Sequence, residues 1–117
     1  MATVLERAIA HYRDRPQHQV NVPEWGEGGS PLVVHFKTPT METLSKARRD
    51  SGDDPVKYTA VLVAQCALDG KGERLFSAMN WLDLFKNADP AVVQRIGDAI
   101  AAQMNFDNAA VESAEKN

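Results

Sequence analysis

Residues 56–68, VKYTAVLVAQCAL, form the most apolar segment of the chain, in which only Lys57, Thr59 and Gln65 are clearly polar. Periodicity alone does not distinguish a buried strand from a buried helix here. A length of 13 residues without glycine or internal proline exceeds that of most strands and favours a helix. We therefore predict a central buried helix, around which a chain of 117 residues with 44% hydrophobic content assembles one compact core.

Residues 19–37 predict a small β-hairpin, because apolar and polar side chains alternate on both sides of a turn. The alternating apolar residues are Val20 and Val22 before the turn and Val34 and Phe36 after it. The turn is supplied by Gly26, Gly28, Gly29 and Pro31. A lone hairpin is marginal in water unless it packs on helices or joins a larger sheet. Two roles are equally favoured: the hairpin edge docks another chain, or Trp25 and the inward side chains cap the helical core.

Local capping signals place the other helices. Thr3 with Glu6 has the form of a capping box, and Pro16 ends the first amphipathic pattern. A second, weakly amphipathic helix starts after Thr38 or Thr40.

The second half of the chain carries a short helix and then a longer one. Asn80 with Asp83 is predicted to cap the short helix, which carries Trp81, Leu84 and Phe85. The pair Asp89–Pro90 is the clearest helix start in the sequence. The helix that it begins carries four apolar residues on one face, namely Val93, Ile96, Ile100 and Met104.

Two polar segments are predicted to lie outside the helices. The sequence DSGDDP at residues 50–55 has the composition of a mobile loop, and NFDN at residues 105–108 is predicted to break the last helix. The predicted class is therefore α+β: a mostly helical single domain with a small N-terminal β-hairpin. Its parts are an added N-terminal helix at 1–18, the hairpin at 19–37, a helical core at 38–105 and a polar tail at 106–117.

The motifs that carry enzyme chemistry are missing from the sequence. It contains no GxSxG, no HExxH and no phosphate-binding GxxxxGK[ST]. The segment DGKGERLFS begins like a calcium-binding loop. However, Arg74 occupies the position at which such a loop needs glycine, and Asn80 occupies the position at which it needs a bidentate glutamate. We therefore expect a simple chain reversal at this segment.

The remaining candidates for chemistry are isolated. His11, His18 and His35 fall on different predicted elements without ligand spacing, and Cys66 lies in the apolar segment, where burial raises a thiol pKa. We expect no catalytic, cofactor-binding or metal-binding residues, and hence no enzyme. The net charge of −3 argues against nucleic acid, and the sequence predicts neither a signal peptide nor a membrane span. The expected location is the cytoplasm.

Three segments in order, VNVPEWGEG at 20–28, the apolar helix leading into ALDGKGERLFS at 67–77, and the end VESAEKN, resemble the tail assembly chaperones of long-tailed bacteriophages and prophages. The resemblance covers residues 20–117 and leaves residues 1–18 outside. It carries Val20, Val22, Pro23, Trp25, Val34 and Phe36 onto the family's strand motif, and Leu75 and Phe76 onto its LF turn. These eight residues are the candidate protein-binding residues.

The resemblance implies a non-enzymatic morphogenesis factor in the cytoplasm of the host bacterium. Such a factor binds the tape measure protein, keeps it soluble, assists assembly of the tail tube protein and is absent from the mature particle. Self-association is left open. The alternative is a structural virion component, such as a head-to-tail connector protein.

Overall fold

A computed structural model describes the backbone of residues 2–116 and the side chains of residues 2–104. The elements in chain order are α1 (Val4–Arg13), β1 (His18–Glu27), β2 (Ser30–Phe36), α2 (Met41–Ser51), α3 (Pro55–Cys66), a 3₁₀ turn (Ala78–Asn80), α4 (Trp81–Asn87) and α5 (Pro90–Lys116). A two-stranded antiparallel hairpin thus precedes four helices, and the predicted α+β class is confirmed.

Helix α3 lies at the centre of the core, as its apolar composition predicts. Its buried residues are Ala60, Val61, Leu62, Val63, Ala64 and Cys66. Helices α2, α4 and α5 all pack against it, and the hairpin joins the same buried cluster. Fully burying a side chain such as Val61 or Val63 contributes about 1.5–3 kcal/mol.

The connection between α2 and α3 is shorter and more ordered than the loop predicted for residues 50–55. Helix α2 continues to Ser51, which is buried, and only residues 52–54 separate the two helices. Gly52 and Asp53 adopt positive φ and reverse the chain. The Asp54 carboxylate then accepts hydrogen bonds from the backbone N–H groups of Val56 and Lys57. Asp53 and Asp54, which fall in the predicted mobile loop, are therefore parts of a helix junction.

The hairpin presents one apolar face to the core. Its register pairs His18 with Phe36, Val20 with Val34, and Val22 with Leu32, so these side chains share one side of the sheet. At its tip, Gly28 and Gly29 both have positive φ, which favours glycine at both positions of this two-residue turn. Residues 23–26, PEWG, interrupt the pairing as a bulge between Val22 and Glu27.

Helix α5 begins as predicted, with Pro90 in its first turn and the Asp89 carboxylate accepting from the Ala91 N–H at 2.9 Å. Ile96 and Ile100 are fully buried on its inner face. The helix continues through residues 105–108, so the break predicted there is wrong. The side chains of that segment and of the polar tail at 106–117 lie outside the described residues.

The segment that follows α3 returns to the edge of the sheet. Leu68 exchanges two backbone hydrogen bonds with His35 on β2, at 2.7 and 2.9 Å, and forms a second bridge with Arg74. The Asp69 carboxylate accepts from the N–H groups of Lys71 and Glu73, which lowers the pKa of Asp69. The reversal predicted for DGKGERLFS is thus held by the Asp69 side chain and by the backbone bridges of Leu68.

No helix in the described part of the chain is long and apolar enough to cross a bilayer.

Gly97 sets the separation of α3 and α5. A Cβ added there would lie 2.6 Å from Cγ2 of Thr59, whose hydroxyl donates to the Pro55 carbonyl. Glycine in a helix interior normally costs about 1 kcal/mol relative to alanine. We therefore expect Gly97→Ala to destabilise the protein by about 1 kcal/mol, because overpacking of roughly 1–3 kcal/mol outweighs that gain.

The same change in a Thr59→Ala background tests the cause. With Cγ2 removed, Gly97→Ala should stabilise the protein by about 0.5–1 kcal/mol, since only the helix propensity remains. Urea denaturation of the four proteins measures both effects. Destabilisation of equal size in both backgrounds would show that contact with Thr59 does not determine the cost.

Candidate functional site: the surface around helix α4

Helix α4 carries four large apolar residues within the five-residue sequence WLDLF. A single helix turns only one side to a core. Leu84 is buried, while Leu82 remains 40% exposed and Phe85 37% exposed. Trp81 is half-buried and lies against the Phe85 ring, with a centroid distance of 6.4 Å. Helix α4 therefore displays part of its apolar surface to solvent.

A concave site lies where α4 meets α3 and α5, and we call it the α4 cleft. Its cavity volume is about 240 Å³. The apolar side chains that line it are Val56, Ala60, Leu84, Phe85, Ala88 and Val93. Val56, in the first turn of α3, is 67% exposed, so one wall of the cleft is open to solvent.

Local hydrogen bonds fix the elements around the α4 cleft. The Asn80 side chain accepts from the Ser77 N–H at 2.9 Å, which joins the 3₁₀ turn to the start of α4. At the C-terminal end of α4, the Ala88 N–H donates to the Leu84 carbonyl. The next residue, Asp89, caps the N-terminus of α5. The cleft is therefore built by helices with short connections, which makes it a preformed site.

Two lysine side chains lie beside the apolar lining of the α4 cleft. Lys86 lines the α4 cleft, and the Lys57 ammonium lies 5.6 Å from the centroid of the Phe85 ring. A lysine over an aromatic face keeps its charge in water while its stem covers apolar surface. A helix that enters the cleft would therefore be favoured by carboxylates beside its apolar residues.

A second concavity adjoins the α4 cleft at Leu84 and includes Phe76. Here the structure brings together two of the predicted protein-binding residues. The rings of Trp25 and Phe76 meet edge to face, with centroids 6.2 Å apart and planes at 84°. Both residues are half-buried, so they keep part of their surface available to a partner.

The other predicted protein-binding residues have different environments. Val22, Val34 and Phe36 are at most 1% exposed and belong to the core, so their side chains are not available for contact in the folded domain. Val20 and Leu75 are half-buried against that core. Pro23 is exposed in the bulge. The hairpin thus caps the core with its inner face, and at His35 its outer edge is already paired with Leu68.

An ion pair holds the bulge that carries Trp25. The two terminal guanidinium nitrogens of Arg95 on α5 donate to the two carboxylate oxygens of Glu24, the Nη1–Oε1 distance being 2.8 Å. These bonds lower the pKa of Glu24 to about 2. A two-point contact of this kind fixes direction as well as distance. The position of Trp25 therefore depends on α5.

The residues considered for chemistry do not assemble into a site. Burial raises the pKa of the Cys66 thiol to about 11, as its place in the apolar segment predicts, so the reactive thiolate is scarce at neutral pH. Within residues 2–104, no three side chains among histidine, cysteine, aspartate and glutamate are grouped as metal ligands would be. The surface around α4 is suited to contact with another protein.

Sequence reasoning missed Val56, Leu82 and Phe85. One signal for the last two is present in WLDLF, since four large apolar residues in five exceed what one helix face can bury. The exposure of Val56 has no such signal, because Val56 belongs to the most apolar segment of the chain, whose buried residues begin only at Ala60.

Comparison with known proteins gave no match to a family model, to a curated protein or to a solved structure.

The pair of Glu24 and Arg95 predicts a pH-dependent stability difference. Because folding depresses the pKa of Glu24 from 4.5 to about 2, the stabilisation is fully present above pH 4.5 and is lost as the pH falls towards 2. Glu24→Gln should therefore lower the melting temperature most at neutral pH, and its difference from wild type should shrink below pH 4.5. Thermal melts at pH 7 and at pH 3 measure this.

Arg95→Gln is the matched variant. It should lower the melting temperature at pH 7 to a similar degree, and adding Glu24→Gln to it should have little further effect, since the two side chains act through one contact. Additive losses in the double variant would show that the two residues stabilise the fold independently.

Proposed function

We propose that this protein is a tail assembly chaperone of a long-tailed phage or prophage, and that it binds the tape measure protein through the α4 cleft. The order of sequence segments from VNVPEWGEG to VESAEKN supplies the identity of the partner by resemblance. The structural observation that supports the proposal is the exposed apolar surface of Val56 and Phe85, which line a preformed concave site. A chaperone of this kind acts by covering apolar surface and needs no catalytic group.

The chemistry of the α4 cleft suits an amphipathic helix. Helix-in-groove recognition places apolar side chains at helical spacing into an apolar groove, and polar contacts at the rim set the orientation. A long helical protein that is later enclosed in a tube exposes apolar stripes until enclosure, and such stripes promote aggregation. Covering them with the α4 cleft keeps the partner soluble.

The size of the cleft also suits temporary binding. A cavity of about 240 Å³ admits only a few side chains of a helix. The interface is therefore small, and small interfaces belong to weak and transient complexes. Tail tube subunits that bind the same stripes more extensively then displace the chaperone.

Co-expression tests the proposal. The partner to use is the long helical protein that the family resemblance leads us to expect just downstream of this gene. It should be insoluble alone and soluble in a complex with this protein. Phe85→Asp should reduce recovery of the complex at least tenfold, because it puts a charge into the apolar lining. The readouts are the soluble fraction of the partner and its co-purification with this chain.

Met41→Asp is the matched control, because Met41 is 87% exposed on α2 and does not line the cleft. This variant should bind like wild type, and circular dichroism should show both variants folded. Equal insolubility of the partner with and without this protein would contradict the proposal. Stoichiometric presence of this chain in purified particles would favour the structural virion component instead.

A further inference from the structure

Helix α1 has an apolar side that the folded domain leaves uncovered. None of its ten residues is buried. Val4 is 72% exposed, Leu5 69% and Ile9 57%, and the three lie on one side of the helix with Ala8 and Tyr12. Isolated helices shorter than about 12–15 residues are marginal in water, so a ten-residue helix gains much from a partner.

Among the described residues, the hydrogen bonds between α1 and the rest of the domain lie at the C-terminal end of the helix. The Tyr12 hydroxyl donates to the Thr38 carbonyl, and Lys37 donates to the Arg13 carbonyl at 3.0 Å while its ammonium lies 4.6 Å from the centroid of the Tyr12 ring. These contacts fix the last turn. The first two turns, which carry Val4, Leu5 and Ile9, stay free to meet another molecule.

The charges that border this apolar side indicate what covers it. Glu6 and Arg13 are seven residues, or two turns, apart and lie on the same flank, with Ile9 between them. Within its own chain, Arg13 has only the neighbouring Asp14 as an ion-pair partner among the described residues, and the Glu6 carboxylate accepts only from the Thr3 hydroxyl. Both charges are available to another helix.

We propose that α1 pairs antiparallel with α1 of a second copy of this chain. In an antiparallel pair the same flanks face each other in reversed order, so Glu6 of each copy meets Arg13 of the other. Leu5 and Ile9 then lie in the shared apolar seam.

The parallel arrangement is less favourable. It would remove both contacts between Glu6 and Arg13, because each of these residues would then face the flank that carries Arg7 and His11. It would also bring both folded bodies to the same end of the helix pair. The antiparallel arrangement keeps the two bodies at opposite ends. The interface of two ten-residue helices is small, so the dimer is weak.

Sedimentation velocity of the full chain tests the pairing, from about 10 μM to about 1 mM, the range in which small interfaces dissociate. Wild type should pass from monomer to dimer as concentration rises. Leu5→Glu should remain monomeric throughout. The control Met41→Glu, which changes a still more exposed apolar residue on α2, should dimerise like wild type.

Charge reversal tests the orientation. Glu6→Arg should weaken the dimer about tenfold, because two attractive contacts become repulsive. The double variant Glu6→Arg/Arg13→Glu should recover the wild-type dissociation constant. Its new charges oppose the helix dipole at both ends of α1, so greater helix stability does not explain recovery, and only pairing between copies does.

Three results would overturn the proposal: a wild-type monomer over the whole concentration range, a dimer that Leu5→Glu leaves intact, or a double variant that dimerises no better than Glu6→Arg. Loss of the dimer in Phe85→Glu with no effect of Leu5→Glu would assign self-association to the α4 cleft instead. Because these measurements use no tape measure protein, their outcome is independent of the proposed chaperone function.

Discussion

The burial of α3 is the constraint on which the rest of the structure depends. A helix that is apolar around most of its circumference has to be covered on every side, and this chain covers it with α2, α4, α5 and the hairpin. Small residues in α3, such as Ala60 and Ala64, allow neighbours to approach closely, and Gly97 does the same from α5. The hairpin is stable because it supplies Val22, Val34 and Phe36 to this cover.

Covering α3 leaves α4 with more apolar surface than the core accepts. Leu84 completes the core, while Leu82 and Phe85 remain partly exposed, and Val56 at the exposed start of α3 lines the α4 cleft together with Phe85. Exposed apolar groups on a rigid framework do not stabilise the fold, and they promote association with other molecules. The packing that buries α3 therefore also leaves exposed the apolar surface on which the proposed function rests.

Local and periodic signals in the sequence predicted much of the fold. The features that depend on tertiary packing were not predicted. Thr3 and the Asp89–Pro90 pair mark helix starts because a cap depends only on adjacent residues. Period-two alternation predicted which hairpin side chains point inward. The order at residues 52–54 was missed because composition describes DSGDDP as polar, whereas Ser51 is buried by tertiary packing and Asp54 caps α3. The α4 cleft was missed because Val56, Phe85 and Val93 come from three helices, and no local pattern records their meeting.

The two proposed contacts solve one physical problem together. A chaperone that tube subunits displace needs weak individual contacts, yet a long partner with exposed stripes has to stay covered. Pairing through α1 places two α4 clefts in one dimer. Once one cleft has bound a partner molecule, the second cleft binds the same molecule at a high effective concentration, without any new contact surface. Each cleft still releases on its own, since its few apolar contacts are unchanged. Weak pairing through α1 therefore favours sustained coverage and stepwise displacement at the same time, which one large and tight interface would not allow.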